Sequence, residues 1–205
     1  DALERIGGCS VPELEITGAA VQNGYRNKVQ FPVAQQNGRA VAGFYRARTH
    51  EVIPADGCKL QPDCAERLKK AVTDWMRENR IPAYDEKTHT GCVRHIYLRL
   101  GFVSGQALCC VVLNAKKTPQ PAALVEAILR EVPQTAGIVV SYNEKRGNTI
   151  LGDRFETLYG SDTIEDTLCG LRFRLSARSF YQVNHDQAER LYRAAITQAE
   201  ITKED

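Results

Sequence analysis

The chain switches between two hydrophobic periods. Residues 24–33 (GYRNKVQFPV) step in twos: Tyr25, Val29, Phe31 and Val33 face one way, Arg26, Lys28 and Gln30 the other. That is the pattern of a half-buried strand with a cationic outer face. Asn37-Gly38 follows as a two-residue hairpin signal, and residues 39–48 read as the returning strand. After a loop at 50–61, Pro62 opens a helix in which Cys64, Ala65, Leu68, Ala71, Val72, Trp75 and Met76 form one apolar stripe. It ends near Asn79-Arg80, before Pro82. Residues 91–102 and 106–113 are predicted strands, the second apolar throughout and therefore central. Residues 119–131 give a short helix and 137–142 a buried strand. A polar turn at 143–148 carries Lys145, Arg146 and Gly147, and shorter strands are expected at 149–151, 157–159 and 171–175.

This order implies an α+β domain, with a mostly antiparallel or mixed sheet and helices on one face. The other face is then left for basic side chains. Residues 179–184 (SFYQVN) break the pattern, with two aromatics and two amides on a loop. Asn184 is a candidate N-cap, Gln187 three residues later completes a capping-box spacing, and Ala188, Leu191, Tyr192, Ala195 and Ile196 recur at helical spacing. On pattern alone this is a terminal helix docking back on the domain. Residues 1–8 read as the last turn of a helix closed by glycine, and the first residue is not Met, so a piece of a longer protein is expected.

Composition narrows the class. With 205 residues, 43% hydrophobic and 25% charged, the chain matches an ordinary globular domain. No apolar run reaches the roughly 18 residues of a membrane helix. The net charge is only +2, but its distribution is uneven. Segments 16–50, 87–125 and 167–185 contain no Asp or Glu. Two readings fit: a phosphate-attracting surface if the basic strands share a face, or ordinary solvated strand faces. Seven cysteines show no disulfide spacing, and Cys109-Cys110 sits inside an apolar run, as buried cysteines do. An odd count without a secretion signal points to the reducing cytoplasm. Cys58 and Cys64 are six residues apart, but without a CxxC or a second pair a chelating site within the chain is not supported. No GxGxxG, P-loop, HExxH or GxSxG occurs.

Resemblance extends this reading. SFYQVNHDQAERLY (179–192) resembles the SFFQVN segment of the RNA (uracil-5-)-methyltransferase family, which methylates C5 of uridine using S-adenosylmethionine. Further stretches match that family in the right order: GYRNKVQFPV (24–33), GFYRARTHEVIPADGC (43–58), HTGCVRHIYLR (89–99), NEKRGNTILG (143–152) and LYGSDTIEDTLCGLRFRLSARSFYQVN (158–184). The ordered set covers nearly the whole chain and is most similar to the iron–sulfur-containing branch acting on large-subunit ribosomal RNA.

The resemblance implies roles for particular residues. Gln182 matches the glutamine that contacts S-adenosylmethionine. Cys58 matches the fourth ligand of a [4Fe–4S] cluster whose other three cysteines would precede Asp1, so no cluster is expected in this piece. The family's glycine-rich methyl-donor motif, its nucleophilic cysteine in a DPPR-type motif and its general-base glutamate would follow the last helix, so no catalytic residue is assigned and the piece is expected to be inactive alone. The chemistry implied for the whole enzyme is thiolate addition to C6 of uracil, attack by C5 on the sulfonium methyl, and removal of the C5 proton. RNA is the expected partner, ribosomal first; no membrane is expected, and the oligomeric state is left open with a monomer favoured. Arg26, Lys28, Arg94 and Lys145 are the candidate RNA-binding cations, with Tyr25, Phe44 or Tyr97 for base stacking. The implied organisation is a helix remnant and linker at 1–18, an RNA-binding domain at 19–178 and the start of a methyltransferase domain at 179–205. The alternatives are a stand-alone RNA-binding module and a transfer-RNA-specific member of the family.

Overall fold

The computed structural model describes residues 2–12 and 15–200; residues 1, 13, 14 and 201–205, in the outer segments expected at 1–18 and 179–205, lie outside the described residues. After a five-residue π-helical turn at Ala2–Ile6 come β1 (Lys28–Gln36), β2 (Arg39–Tyr45), β3 (Val52–Pro54), α1 (Asp63–Glu78), β4 (Val93–Leu100), β5 (Ala107–Leu113), α2 (Pro121–Glu131), β6 (Thr135–Tyr142), β7 (Arg154–Gly160), β8 (Thr163–Leu168), β9 (Leu171–Ser176) and α3 (His185–Ala199). Seven strands form one sheet in the order β3-β2-β1-β4-β5-β6-β7. Its neighbours are antiparallel except β5 and β6, which run parallel and are joined through α2. The fold is α+β with a mixed sheet, as expected.

Local chemistry sets several of these elements. Asn37 and Gly38 both take positive φ (49° and 75°), the type I′ geometry whose twist matches the flanking strands, and Gln36 pairs Arg39 across it. The stripe on α1 is buried as read from its period, from Cys64 to Met76. With α2 it covers one sheet face, where Val29, Phe31, Ile96, Leu98, Cys109, Val111, Ile138 and Val140 project. No helix among the described residues is long and apolar enough to cross a membrane.

The opposite face is not free, which corrects the sequence reading. Tyr97, Leu108, Cys110, Val112 and Val139 project there, and β8–β9 lies over them with Ile164, Leu168 and Leu175. Tyr181 and Ala188 complete this second core. The physical reason is the apolar run of β5: both of its faces carry hydrophobic side chains, and each must leave water. The hairpin turns at Cys169 (φ 51°) and Gly170 (φ 80°), again with two residues of positive φ. Strands β3 and β8 were not expected, and the strand expected at 149–151 is irregular chain.

Helix α3 starts where the cap predicts: Asn184 Oδ1 accepts the Gln187 N–H at 3.2 Å. Among the described residues the Gln187 carboxamide does not close the reciprocal half of the capping box, and its Nε2 donates to the Thr17 carbonyl. Only His185 and Ala188 of this helix are buried, while Leu191 (62% exposed) and Ile196 (56%) face outward. The helix docks on the domain through its first turn only, and the rest of its stripe does not pack there, which limits the reading from pattern alone. Leu68→Ala in α1 is expected to lower stability by about 2–5 kcal/mol, and Leu191→Ala in α3 by no more than about 0.5 kcal/mol, in urea titrations. A comparable loss at both positions would contradict an unpacked α3 stripe.

Candidate functional site

Residues 177–184 have no helix or strand of their own, so their backbone depends on neighbours. Asn27, buried at the entrance to β1, holds two of their carbonyls. Its N–H donates to the Val183 carbonyl (3.1 Å), its Nδ2 to the Gln182 carbonyl (2.8 Å), and its own carbonyl accepts from Leu100 N–H (2.8 Å). Arg26 and Asn184 form an isolated bridge alongside. From β4, the fully buried Arg99 donates through Nη2 to the Tyr97 hydroxyl (3.1 Å) and to the Ser179 carbonyl. From β8, buried Asp166 accepts the Tyr181 hydroxyl (3.2 Å) as well as the amides of Phe102 (2.9 Å), Val103 (2.8 Å) and Ser104 (3.3 Å). Gln182 is therefore fixed through its main chain while its half-buried carboxamide makes no hydrogen bond among the described residues. A pinned backbone with an uncommitted donor–acceptor group fits one polar contact to a ligand such as S-adenosylmethionine. Phe180 beside it is 85% exposed.

The expected cations divide between two places. Arg26 is exposed, with no side-chain partner among the described residues, and adjoins the 179–184 segment. Lys28 stands 5.7 Å from the Tyr97 ring centre. Burial first, and the charge of Arg99 second, lower its pKa. These two share the Gln182 end of β4. Arg94 and Lys145 lie at the other end, since five strand residues, roughly 16 Å, separate Arg94 from Arg99.

Arg94 is not a surface cation. It is the extra residue of a β-bulge, because Val93 pairs Leu113 while His95 pairs Val112. Its side chain is buried: Nη1 donates to the carbonyls of Asn143 (3.1 Å) and Lys145 (2.7 Å), Nη2 meets Glu86 at 3.3 Å, and the group lies 4.4 Å from the centre of the Tyr84 ring. A guanidinium so engaged positions the 143–147 loop and leaves Lys145, exposed and ion-paired with Asp153, to face solvent. Tyr97 likewise lies under the β8–β9 hairpin and presents no face to a base, whereas Phe44 and Tyr25 keep part of their surface. His95 is buried next to Arg94, with the Tyr45 ring edge-on at 6.3 Å.

The cysteines hold no nucleophile in waiting on the sheet. Burial pushes the Cys109 and Cys110 thiols up to about 12 and that of Cys92 up to about 11. Cys58 is half-buried in the loop before α1. Among the described residues no group of three or more His, Cys, Asp or Glu could hold a metal ion. The residues described here do not by themselves fit a [4Fe–4S] cluster, which takes four ligands.

Fold and site together define an α+β domain that presents a fixed polar segment between a basic sheet end and an unpacked helix. Comparison with known proteins adds relatives. The chain is 38% identical over 205 residues to a Clostridium acetobutylicum protein described as an uncharacterized RNA methyltransferase, covering 98% of this chain and 45% of that protein. It is 37% identical over 206 residues to one from Streptococcus mutans with the same description, covering 100% of this chain and 46% of that protein. The chain thus spans about half the length of the relatives it matches. No protein-family model matches it. Among solved structures, the Pyrococcus abyssi tRNA (uracil-54, C5)-methyltransferase in complex with S-adenosyl-L-homocysteine superposes with a TM-score of 0.76 at 21% identity, over 95% of this chain and 45% of that one. That likeness shows a shared fold.

Asn27, Arg99 and Asp166 were not singled out from sequence. Asn27 carried a signal, since it shares the parity of Val29 and Phe31, and an amide on an apolar face needs partners. Asn27→Ala is expected to cost about 1–3 kcal/mol by leaving the Gln182 carbonyl unpaired, and to speed amide exchange in 179–184 relative to the sheet. Unchanged exchange there would remove Asn27 as its anchor. His95 gives a pH dependence. Burial first, then the Arg94 charge, push its pKa from 6.5 down to about 4. The unfolded chain therefore binds that proton more readily, and stability present above pH 6.5 is lost as pH falls toward about 4. The loss is on the order of 3 kcal/mol. His95→Gln should flatten that slope in denaturation midpoints; parallel slopes would show that His95 is not its source.

Proposed function

We propose that the chain is part of an S-adenosylmethionine-dependent RNA (uracil-5-)-methyltransferase acting on ribosomal RNA, and that its own contribution is RNA binding. The observation that carries the RNA-methyltransferase reading is similarity along 98–100% of the chain to proteins described as RNA methyltransferases, while uracil C5 and ribosomal RNA follow from the ordered resemblance of its segments. In this reading residues 19–178 grip RNA and 179–205 begin the methyl-transfer domain. S-adenosylmethionine supplies, when bound, an electrophilic methyl group on a sulfonium centre. Gln182 makes one contact to it, and the Asn27 and Arg99 hydrogen bonds hold that contact in place. Arg26 and Lys28 neutralise phosphates beside Gln182, and Lys145 does so at the far end of β4. Arg94 serves by positioning the Lys145 loop. Cys58 contributes one thiolate of a [4Fe–4S] site completed by residues outside 1–205. A transfer-RNA substrate is the second reading, favoured by the Pyrococcus abyssi fold relative.

Two measurements test the proposal. The chain alone should bind folded RNA with an affinity that falls steeply with salt, and Arg26→Ala or Lys28→Ala should each reduce the slope of log K against log salt by about 1. In the longer parent protein, labelled methyl from S-adenosylmethionine should reach C5 of a uridine in ribosomal rather than transfer RNA. There Gln182→Ala should raise the KM for S-adenosylmethionine roughly tenfold, about 1.4 kcal/mol. Salt-independent RNA affinity would overturn the binding role, and methyl transfer by the isolated chain would overturn its dependence on further sequence.

A further inference from the structure

The β2–β3 turn and the β6–β7 connection face each other across a cavity of about 400 Å³, with Arg94 and His95 of the bulged end of β4 in its wall. At its mouth two partly exposed rings, Tyr45 and His50, meet edge to face with centres 5.3 Å apart. His50 Nε2 reaches Asn148 Oδ1 at 3.3 Å, so the two loops touch across the opening. Arg48, held at a positive φ of 62°, lines the same cavity, and its exposed guanidinium makes no hydrogen bond or ion pair among the described residues.

The wall carries an unsettled polar account. Arg94 Nε and His95 Nδ1 are buried and lack any hydrogen-bond partner among the described residues. Unpartnered buried nitrogens are costly, and native proteins leave few of them. Here two adjacent residues at one bulge each supply one, and bulges recur beside functional sites because they re-aim side chains. The imidazole of His95 is held neutral by its burial, so it offers one donor and one acceptor. Flat rings at the mouth, the buried Arg94 and His95 behind them with the Arg94 charge already met by Glu86 of the same wall, and a free cation, Arg48, at the edge match one kind of ligand. It is planar, bears hydrogen-bonding groups on one edge, and is flanked by phosphate.

We infer that this cavity is a subsite for a single unstacked nucleotide of a bound RNA. Its base lies against Tyr45 and His50, its polar edge turns toward Arg94 and His95, and a flanking phosphate meets Arg48. The inference rests on the RNA-binding reading and adds to it a second gripping point. Because Arg94 stands roughly 16 Å along β4 from Arg99, this nucleotide differs from any that is presented at Gln182.

The test compares two RNA hairpins of equal length and charge, one fully paired and one with a single-nucleotide bulge carrying 2-aminopurine, by anisotropy and by fluorescence quenching. The chain should bind the bulged RNA about tenfold more tightly and quench the bulged base. Tyr45→Ala, with and without His50→Ala, should abolish both effects and leave affinity for the paired hairpin unchanged, while Tyr45→Phe should keep them. Matching circular dichroism and thermal midpoints will show that the Ala variants fold. Equal affinity for both hairpins, or a preference that survives the double substitution, overturns the subsite and leaves RNA binding standing. Failure to bind either hairpin overturns both readings. Uridine monophosphate is titrated in parallel. If it shifts the His50 and His95 ring resonances and the RNA does not, the cavity takes a free nucleotide and the inference is wrong.

Discussion

One buried carboxylate ties the molecule together where the sheet alone does not. Asp166 collects three backbone amides from the β4–β5 turn, more than 60 residues away, and the hydroxyl of Tyr181, 15 residues on. A carboxylate taken from water needs such partners, and here they are supplied by segments otherwise without regular hydrogen bonding. The hairpin that carries Asp166 is held over β5 and β6, and the 179–184 segment is in turn held against the hairpin. Beneath that knot the hairpin keeps Leu108, Cys110 and Val112 of the second sheet face out of water.

Strand β4 distributes the consequences. Its side chains on the hairpin side include His95, Tyr97 and Arg99, an unusually polar row for a buried face. Each end of the row has a different task. Arg99 fixes the Ser179 carbonyl and with it the approach to Gln182. At the opposite end the bulge turns Arg94 toward loop carbonyls and leaves a cavity between two loops. One strand thus organises both a fixed amide and a recess, which suits a domain that holds an extended ligand at more than one point.

Much of the fold was legible because its signals are local. The Asn37-Gly38 turn, the stripe on α1, the apolar run of β5 and the Asn184 cap each depend on a few neighbouring residues. The misses share a different cause. Strand β8 mixes Thr, Ile, Glu and Asp, and its turn uses Cys169-Gly170 rather than Asn-Gly, so neither pattern nor turn chemistry announced the hairpin. Arg94 read as a surface cation because a strand's alternation gives no warning of a bulge, and a bulge is created by the partner strand's register.

The sequence by itself determined which residues are helical, which strands are central, that α3 begins at Asn184, and that a conspicuous amide segment precedes it. It also determined the likeness to RNA methyltransferases, since that likeness is carried by ordered stretches of residues. Only the tertiary structure decided that the second sheet face is covered, that Arg94 and Tyr97 are buried, and that Asn27, Arg99 and Asp166 converge on residues 179–184. The physical reason is that burial and hydrogen-bond partnership at these positions are set mostly by contacts across 49 to 155 residues of chain, and a local period carries no information at that range.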